Sequence, residues 1–329
     1  MKAIWYDRQG PAAEVLQYGE LPTPEAGAGE LRVRLAASGV NPADCYRRGG
    51  INHPHEYPRV IPDSDGAGTV DQVGDGVDAR WLGKRVWLYN GQRNGRAFGT
   101  AAQYIALAAD LVTELPDDVD FAAGATLGIP GMTAHRCVFL AAPVQGRTIL
   151  VTGGAGAVGH YAVQLAKWAG ARVIATVSSA EKAEHARHGG AEHVIDYRRE
   201  DVAARILALT GGEGVDHVAE VDFGGNLPTT LKFLRDNGSI AAYASAGQRM
   251  PTVPFYELMR RNITLHGVLL PALPIEARRR AQSDITQWLR GGGRLLTVAA
   301  RFPLAETARA HEAVERGDKR GTVVVEPAA

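Results

Sequence analysis

The sequence has few cysteines, no net charge and no long apolar run. Cys45 and Cys137 are too few for a disulfide framework or a four-cysteine zinc site. The 36 Lys and Arg residues balance 36 Asp and Glu residues, so no net field attracts nucleic acid or anionic lipid. The first residues, "MKAIWYDRQG", lack the apolar stretch of a secretion signal, and no segment is long enough to span a membrane. These absences predict a cytoplasmic globular protein that binds neither nucleic acid nor membranes.

The pattern of residue types differs between two parts of the chain. Before about residue 125, short segments rich in Val, Ile, Tyr and Trp are separated by Gly, Pro, Asn and Asp, which predicts a β-rich domain. After Arg147, strand-like segments such as "RVIATV" alternate with helix-like segments, which predicts a doubly wound parallel sheet of the Rossmann type. The segment "KRGTVVVEP" is typical of a final strand that returns to the first domain. We predict an α/β protein with a β-rich domain of residues 1–125 and 270–329 around a dinucleotide-binding domain of residues 126–269.

A glycine motif opens the predicted second domain. Gly154, Gly156 and Gly159 form the pattern G-x-G-x-x-G between a predicted strand and a predicted helix. Glycine lets the backbone turn tightly, and the N–H groups at a helix N-terminus attract a pyrophosphate. The motif alone also fits a glycine-rich turn without a ligand, but the strand–helix–strand context favours a dinucleotide.

The end of the next predicted strand indicates which dinucleotide binds. NAD-binding domains usually place a carboxylate there, on the ribose 2′-hydroxyl. Here the strand ends in "ATVSSAEK", with Ser178 in place of an acid, and Lys182 follows within one helical turn. Tyr197 closes the third strand. A lysine, a hydroxyl and a phenol suit a 2′-phosphate, so we predict NADPH, although Lys182 also fits an ordinary solvated helix position.

Four longer segments resemble a known family: "SGVNPADCYRRGG", "IPDSDGAGTVDQVGDGV", "GIPGMTAHRCVF" and "TGGAGAVGHYAVQLAKWAG". They are similar to the zinc-independent quinone oxidoreductases, the zeta-crystallin group of the medium-chain dehydrogenase/reductase superfamily. The resemblance covers nearly the whole chain. It implies that the β-rich domain is a GroES-like catalytic domain and that the protein is an NADPH:quinone oxidoreductase.

The resemblance also implies that no metal is used. Zinc-dependent members of the superfamily carry a cysteine and a histidine where this chain has Asn41 and Ser64, and neither is a good zinc ligand. His53 and His55 form an H-x-H pair that fits either a metal site or a surface loop. Without a Lewis acid, the remaining chemistry is hydride delivery to an acceptor that is already electrophilic, such as a quinone or a conjugated carbonyl.

Site residues follow from the resemblance, position by position. Asn41 and Tyr46 match positions near the substrate, where we expect them to position the acceptor and stabilise an oxyanion, with the final proton coming from water or Tyr46. Asn41 also fits a turn, and Tyr46 a half-buried aromatic. The expected cofactor contacts are Tyr46, Thr133, Ala155, Gly156, Ala157, Val158, Ser178, Lys182, Tyr197, Asn226, Tyr243, Ala244, Ser245, Ala246, Val268, Leu269 and Leu270.

Several alternatives stay open on the sequence alone. The acceptor is either a quinone or the double bond of an enone, alkenal or enoyl thioester, and a non-catalytic NADPH-binding structural or RNA-binding role is the alternative of another class. Residues 89–99 fit a mobile, substrate-selecting lid or a solvated turn. Arg47 and Arg48 either attract an anionic substrate or are ordinary surface residues. The strand-like segments "SIAAYA" and "ITLHGV" favour a homodimer that extends the sheet.

Overall fold

A computed structural model describes residues 1–51, 54–93 and 95–327. The strands are β1 (Lys2–Trp5), β2 (Gln17–Glu20), β3 (Glu30–Val40), β4 (Asp65–Val73), β5 (Arg85–Leu88), β6 (Tyr104–Ala108), β7 (Val112–Glu114), β8 (Thr148–Val151), β9 (Arg172–Val177), β10 (His193–Asp196), β11 (Val215–Glu220), β12 (Leu234–Ala242), β13 (Thr264–Gly267), β14 (Val298–Pro303) and β15 (Thr322–Glu326). The helices are α1 (Ala12–Val15), α2 (Pro42–Gly49), α3 (Phe121–Gly124), α4 (Ile129–Phe139), α5 (Ala157–Trp168), α6 (Ala180–His188), α7 (Val202–Leu209), α8 (Phe223–Thr230), α9 (Phe255–Arg260), α10 (Ile275–Arg290) and α11 (Thr307–Glu315).

The first of two compact units comprises Met1–Ile129 and the described residues from Leu296 onward. Its larger sheet has the order β14-β15-β3-β4-β5-β7 within the described chain, and β6 also pairs with β3. In β3, Leu31, Val33 and Leu35 are buried and alternate with arginines, as expected of a strand with one face on a core. The final strand β15 pairs antiparallel with β3, which confirms that the C-terminal segment returns to this unit.

Helix α2 is the element of this unit that the sequence pattern did not predict. It begins after Asn41 with Pro42, whose missing N–H costs nothing in the first turn of a helix. The carboxylate of Asp44 accepts the backbone N–H of Asn41 at 2.9 Å, and Gly50 ends the helix in the left-handed conformation. The β-rich texture of the flanking residues concealed these local signals.

The second unit, Pro130–Leu295, contains a parallel sheet with the order β10-β9-β8-β11-β12-β13 among its described strands. The order reverses between β8 and β11, which is the feature that defines a doubly wound fold. Apolar residues of β8, β9, β11 and β12 form the core against α7 and α8, and include Leu150, Ile174, Val218 and Ile240. The predicted α/β class, with a β-rich domain and a doubly wound parallel sheet, is confirmed.

The boundary between the units differs from the one we predicted at residue 269. Residues 270–295, which include α10, belong to the second unit. The reason is the buried face of α10, which no periodicity in the neighbouring sequence could assign to a partner. Trp288 of α10 packs edge-on against Tyr161 of α5, with ring centroids 6.0 Å apart. Asp284 Oδ2 of α10 lies in hydrogen-bond contact with His135 Nε2 of α4 at 2.8 Å.

Candidate dinucleotide and acceptor sites

The glycine motif forms a tight turn between β8 and α5. Gly153 has a φ of 65°, which favours glycine, and a Cβ on Gly159 would overlap the carbonyl oxygen of Gly153. The turn leads directly into α5 at Ala157, and the first N–H groups of a helix have no partner within it. The predicted pyrophosphate contacts Ala155, Gly156, Ala157 and Val158 lie at this helix start, where the N–H of Gly156 donates to the carbonyl of Gly153 at 2.9 Å.

A crevice of about 350 Å³ lies beside this turn, at the carboxyl ends of the central strands. Parallel α/β sheets bind ligands where the strand order reverses. The crevice brings together two residues from our predicted cofactor set, Tyr197 and Asn226, with Gly153 of the glycine turn. The other lining residues are Leu150, Thr152, Thr176, Val202, Val221, Asp222, Thr229, Thr230 and Phe233.

The residues predicted to bind the 2′-phosphate lie at the ends of β9 and β10. Lys182 Nζ donates to Ser178 Oγ at 3.3 Å, and Ser179 caps α6 by accepting the backbone N–H of Lys182. Tyr197 begins the segment after β10, is 51% exposed and bonds the carbonyl of Val177 through its backbone. A cation, a hydroxyl and an exposed phenol thus lie at the ends of β9 and β10, where a 2′-phosphate is expected.

Two loops predicted to flank the nicotinamide follow β12 and β13. Ser245 Oγ accepts the N–H of Gly224 and donates to the carbonyl of Gln248, so this loop is fastened to the start of α8. Burial raises the pKa of Tyr243 well above its usual value, which keeps its phenol uncharged. In the second loop, Val268 and Leu270 are buried while Leu269 is exposed.

Glu220 is a buried residue of this site that the sequence patterns did not predict. It lies at the end of β11. Its Oε1 accepts hydrogen bonds from Thr152 Oγ1 at 2.8 Å, from the backbone N of Asp222 at 2.6 Å and from Asn226 Nδ2 at 2.8 Å. Among the described residues its Oε2 has no hydrogen-bond partner. Burial raises the pKa of Glu220. The available signal was an acid at the carboxyl end of an apolar strand, beside the strand that carries the glycine motif.

The residues of the second unit fit a dinucleotide. The close backbone packing of the glycine turn, where a Cβ on Gly159 would overlap Gly153, brings the chain directly into the start of a helix, and a lysine and a phenol lie at the ends of the next strands. The orphaned Oε2 of Glu220 lies at the strand-order reversal, where the ligand is expected. Thr133 is buried on α4 of the same unit.

Asn41, in the first unit, belongs to a buried polar cluster around Asp44 and Asp65. Its Nδ2 donates to Asp65 Oδ2 at 2.8 Å, and Asp65 also accepts the backbone N of Ile129. Burial and the neighbouring Asp44 raise the pKa of Asp65 well above its usual value. Asn41 thus keeps a fixed amide orientation with one further N–H. Tyr46, one turn along α2, is 47% exposed and free to meet a ligand.

Ser64 and Arg93 complete this cluster. Ser64 Oγ and Arg93 Nη2 both donate to Asp44 Oδ1 at 2.9 Å. Ser64 and Asn41, which occupy the expected zinc-ligand positions, therefore act as hydrogen-bond donors to carboxylates. The described ranges contain no group of three or more His, Cys, Asp or Glu residues that could hold a metal ion. His53 of the H-x-H pair lies outside the described residues, so the absence of a metal stays a prediction.

Two of our interpretations of arginines need correction. Arg93 is buried in the ion pair with Asp44, so the first half of the segment 89–99 is no solvated turn; Asn94 lies outside the described residues. Arg48 is also buried, donates to the carbonyl of Gly10 at 2.6 Å and pairs with Glu315. Arg48 is neither an ordinary surface residue nor available to a substrate, because its charge is used inside the unit.

No helix in the described part of the chain combines the length and the apolar character needed to cross a bilayer.

The fold and the two sites define a two-domain oxidoreductase with a dinucleotide-binding sheet. Residues 27–117 match the alcohol dehydrogenase GroES-like domain, and residues 157–290 match the zinc-binding dehydrogenase family. A 2-haloacrylate reductase from a Burkholderia species is 32% identical over 100% of this chain and 99% of its own length. A quinone oxidoreductase of Pseudomonas aeruginosa is 32% identical over 95% of this chain and 96% of its own length.

A solved structure of a relative has the same fold over nearly the whole chain. The Escherichia coli quinone oxidoreductase complexed with NADPH aligns with a TM-score of 0.87 at 27% identity, over 99% of this chain and 100% of that one. The chain belongs to the quinone oxidoreductase group of the medium-chain dehydrogenase/reductase superfamily.

Proposed function

We propose that the protein is an NADPH-dependent reductase that transfers hydride to a quinone or a conjugated carbonyl without a metal ion. The observation that carries the proposal is the state of Asn41 and Ser64, which donate hydrogen bonds to buried carboxylates instead of offering lone pairs to a cation. The cofactor is NADPH, as in the Escherichia coli and mycobacterial relatives whose structures contain it. Lys182, Ser178 and Tyr197 bind its 2′-phosphate, and the glycine turn binds its pyrophosphate.

NADPH, when bound, supplies the hydride. The acceptor gains that hydride and one proton, and becomes a hydroquinone or a saturated carbonyl compound. The second N–H of the Asn41 amide stabilises the negative charge that develops on the acceptor oxygen, because Asp65 holds the amide in a fixed orientation. The hydroxyl of Tyr46 donates to the same oxygen and passes on the proton, which bulk water replaces.

The Tyr46→Phe variant tests this function. We expect the wild type to oxidise NADPH with 1,4-benzoquinone or with an enone, and the variant to lose about 100-fold in kcat with little change in KM, since the hydrogen bond strengthens only as charge develops. The measurement is the acceptor-dependent loss of NADPH absorbance. Tyr18→Phe is the matched control, because Tyr18 is 50% exposed on β2 of the same unit.

The wild-type result also separates the candidate functions. Turnover of the enone but not of the quinone favours the double-bond reductase, a role that the name of the Burkholderia relative supports. Absence of turnover with every acceptor favours the non-catalytic role. Equal rates for Tyr46→Phe and the wild type would remove Tyr46 from the mechanism. The cytoplasmic location stays a prediction, which cell fractionation tests.

We also propose that the protein is a homodimer. Strand β13 lies at the edge of the parallel sheet in the described chain, and unpaired strand edges invite pairing with a second copy. Exposed apolar side chains surround this edge, among them Leu265 on β13, Leu269 after it and Met259 on α9. Pairing of two β13 strands would cover the edge and part of this apolar surface.

Sedimentation equilibrium tests the dimer. We expect a mass of twice 35.0 kDa for the wild type and a shift to the monomer for Leu265→Lys, which places charge on the paired edge. Tyr18→Lys, on a strand of the first unit, is the control and should stay dimeric. A monomeric wild type, or a Leu265→Lys protein that remains dimeric, contradicts this interface.

A further inference from the structure

Glu220 joins three segments that surround the dinucleotide crevice. Thr152 follows β8 and precedes the glycine turn, Asp222 lies between β11 and α8, and Asn226 lies on α8. All three donate to the single oxygen Oε1 of Glu220. Thr152, Asp222 and Asn226 also line the crevice itself. Glu220 therefore sets the relative positions of three groups in the crevice wall without lining the crevice.

The surroundings of Glu220 favour an uncharged carboxylic acid. Glu220 is 1% exposed, and its three donors among the described residues, Thr152, Asp222 and Asn226, carry no positive charge. The three hydrogen bonds to Oε1 favour the ionised form, but burial opposes the charge more strongly, and a proton on Oε2 removes that charge while Oε1 keeps its three donors. Burial raises the pKa of Glu220 in keeping with this arrangement.

We propose that Glu220 is a positioning residue of the NADPH site, that it acts as an uncharged acid, and that its ionisation weakens NADPH binding. The inference rests on the proposed NADPH dependence. Geometry gives the first reason, because Glu220 orients the Asn226 amide and the loop at Asp222. Electrostatics gives the second, because a buried negative charge beside the glycine turn would repel the anionic phosphates of NADPH.

The other ionisable groups around Glu220 are few in the described structure. Asp222 is the acid that acts on it from the loop after β11, and its own carboxylate accepts the N–H of Gly247. Tyr243 lies after β12, and Cys137 of α4 faces Tyr243. Burial raises the pKa of both the Tyr243 phenol and the Cys137 thiol, so both stay neutral across the working range. The neighbouring α8 and β8 contribute Asn226 and Thr152, which do not titrate.

The direction of the pH effect follows from the raised pKa. Glu220 is protonated at low pH, loses its proton as the pH rises through its raised pKa, and then opposes the bound phosphates. NADPH affinity should therefore fall with rising pH, and NADPH binding should in turn take up a proton. Glu220→Gln keeps the shape and the acceptor oxygen and cannot ionise, so it isolates the charge. Glu220→Ala removes the three hydrogen bonds.

The experiment is direct titration of NADPH, followed by nucleotide fluorescence, between about pH 5 and pH 9. We expect Glu220→Gln to match the wild type at the acidic end and to bind about tenfold more tightly than the wild type at the alkaline end. Glu220→Ala should bind about tenfold more weakly at every pH. The 2′-phosphate titrates in this range too, but it contributes equally to both profiles and cancels in their ratio. Glu192→Gln, which removes an exposed acid of the same unit, is the control.

Three results would overturn the inference. Identical pH profiles for the wild type and Glu220→Gln would show that no ionisation of Glu220 is involved. Normal affinity in Glu220→Ala, with an unchanged circular dichroism spectrum, would show that the three hydrogen bonds do not position the site. A wild type that binds no NADPH would reject the proposed function together with this inference, whereas normal wild-type binding with identical profiles rejects this inference alone.

Discussion

Replacing His311 by alanine is expected to lower the free energy of unfolding by about 3–5 kcal/mol. His311 Nε2 and Asp63 Oδ1 lie 3.0 Å apart, and both side chains are fully buried. Removal of the imidazole leaves the Asp63 carboxylate in the core without its counter-ion, which is the most expensive way to disrupt a buried ion pair. Urea unfolding followed by circular dichroism measures the loss.

The pair connects separate parts of the first unit. His311 lies on α11, and Asp63 precedes β4 in the left-handed conformation, with a φ of 70°. Ser38 Oγ donates to the second carboxylate oxygen of Asp63 at 3.3 Å, and the Cys45 thiol lies 3.5 Å from His311 Nδ1. The ion pair therefore joins the C-terminal helix to β3, α2 and the start of β4, and its loss should loosen all of them.

The same pair predicts a pH dependence of stability. Burial lowers the pKa of His311, but the facing Asp63 and Cys45 raise it to about 10, above the ordinary 6.5. A raised histidine pKa means that its contribution to stability is complete below pH 6.5 and is lost as the pH rises through about 10. The His311→Ala protein should lack this decline.

Substitutions at Asp63 separate charge from backbone strain. Asp63→Asn removes the charge but keeps a residue that tolerates the left-handed conformation, and Asp63→Gly removes the side chain at no conformational cost. Both should destabilise the protein, and the Asp63→Asn/His311→Ala double variant should lose less than the sum of the single losses. His266→Ala, in the second unit, is the control. A loss below about 1 kcal/mol for His311→Ala would show that the pair contributes little to stability.

The parts of the fold that were predictable depend on local pattern. The alternation after Arg147 fixes a parallel sheet because strand and helix periods differ, and the glycine motif marks a particular strand-to-helix turn. The return of β15 to the first unit was predictable because "TVVVE" is a strand with no predicted partner nearby in sequence. Such features need no knowledge of distant contacts.

The missed features depend on partners far away in the chain. Nothing near Arg93 reveals that its guanidinium reaches Asp44, 49 residues earlier, so the sequence left a mobile lid and a solvated turn as alternatives for this segment. Glu220 gains its role from Thr152, 68 residues earlier, and α10 its place from Tyr161 and His135. The roles of Asn41 and Tyr46 stay predictions, because a contact with substrate depends on geometry that a sequence pattern does not contain.

The combined variant Ser178→Asp/Lys182→Ala is expected to lower the preference for NADPH over NADH, measured as the ratio of their dissociation constants, by about 100- to 1,000-fold. Lys182 Nζ, Ser178 Oγ and the Tyr197 phenol lie where the 2′-phosphate is expected, at the ends of β9 and β10. Loss of the lysine removes a charged hydrogen bond to the phosphate. The new carboxylate repels that phosphate and accepts a hydrogen bond from the 2′-hydroxyl of NADH, as the acid of NAD-binding domains does.

The single variants divide this effect into its two causes. Lys182→Ala should weaken NADPH binding by about 10- to 100-fold and leave the NADH dissociation constant unchanged, because NADH has no 2′-phosphate. Ser178→Asp should weaken NADPH and strengthen NADH. Ser179, which caps α6, is left intact in every variant, so the helix start is preserved. Fluorescence titration of both dinucleotides gives the two dissociation constants.

Lys167→Ala is the matched control, because this lysine is exposed in the last turn of α5 in the same unit. It removes the same net charge without touching the end of β9, so a general loss of positive field would show in both lysine variants. If the ratio of the two dissociation constants moves by less than about threefold in the double variant, the phosphate binds elsewhere and Lys182 is an ordinary helix residue.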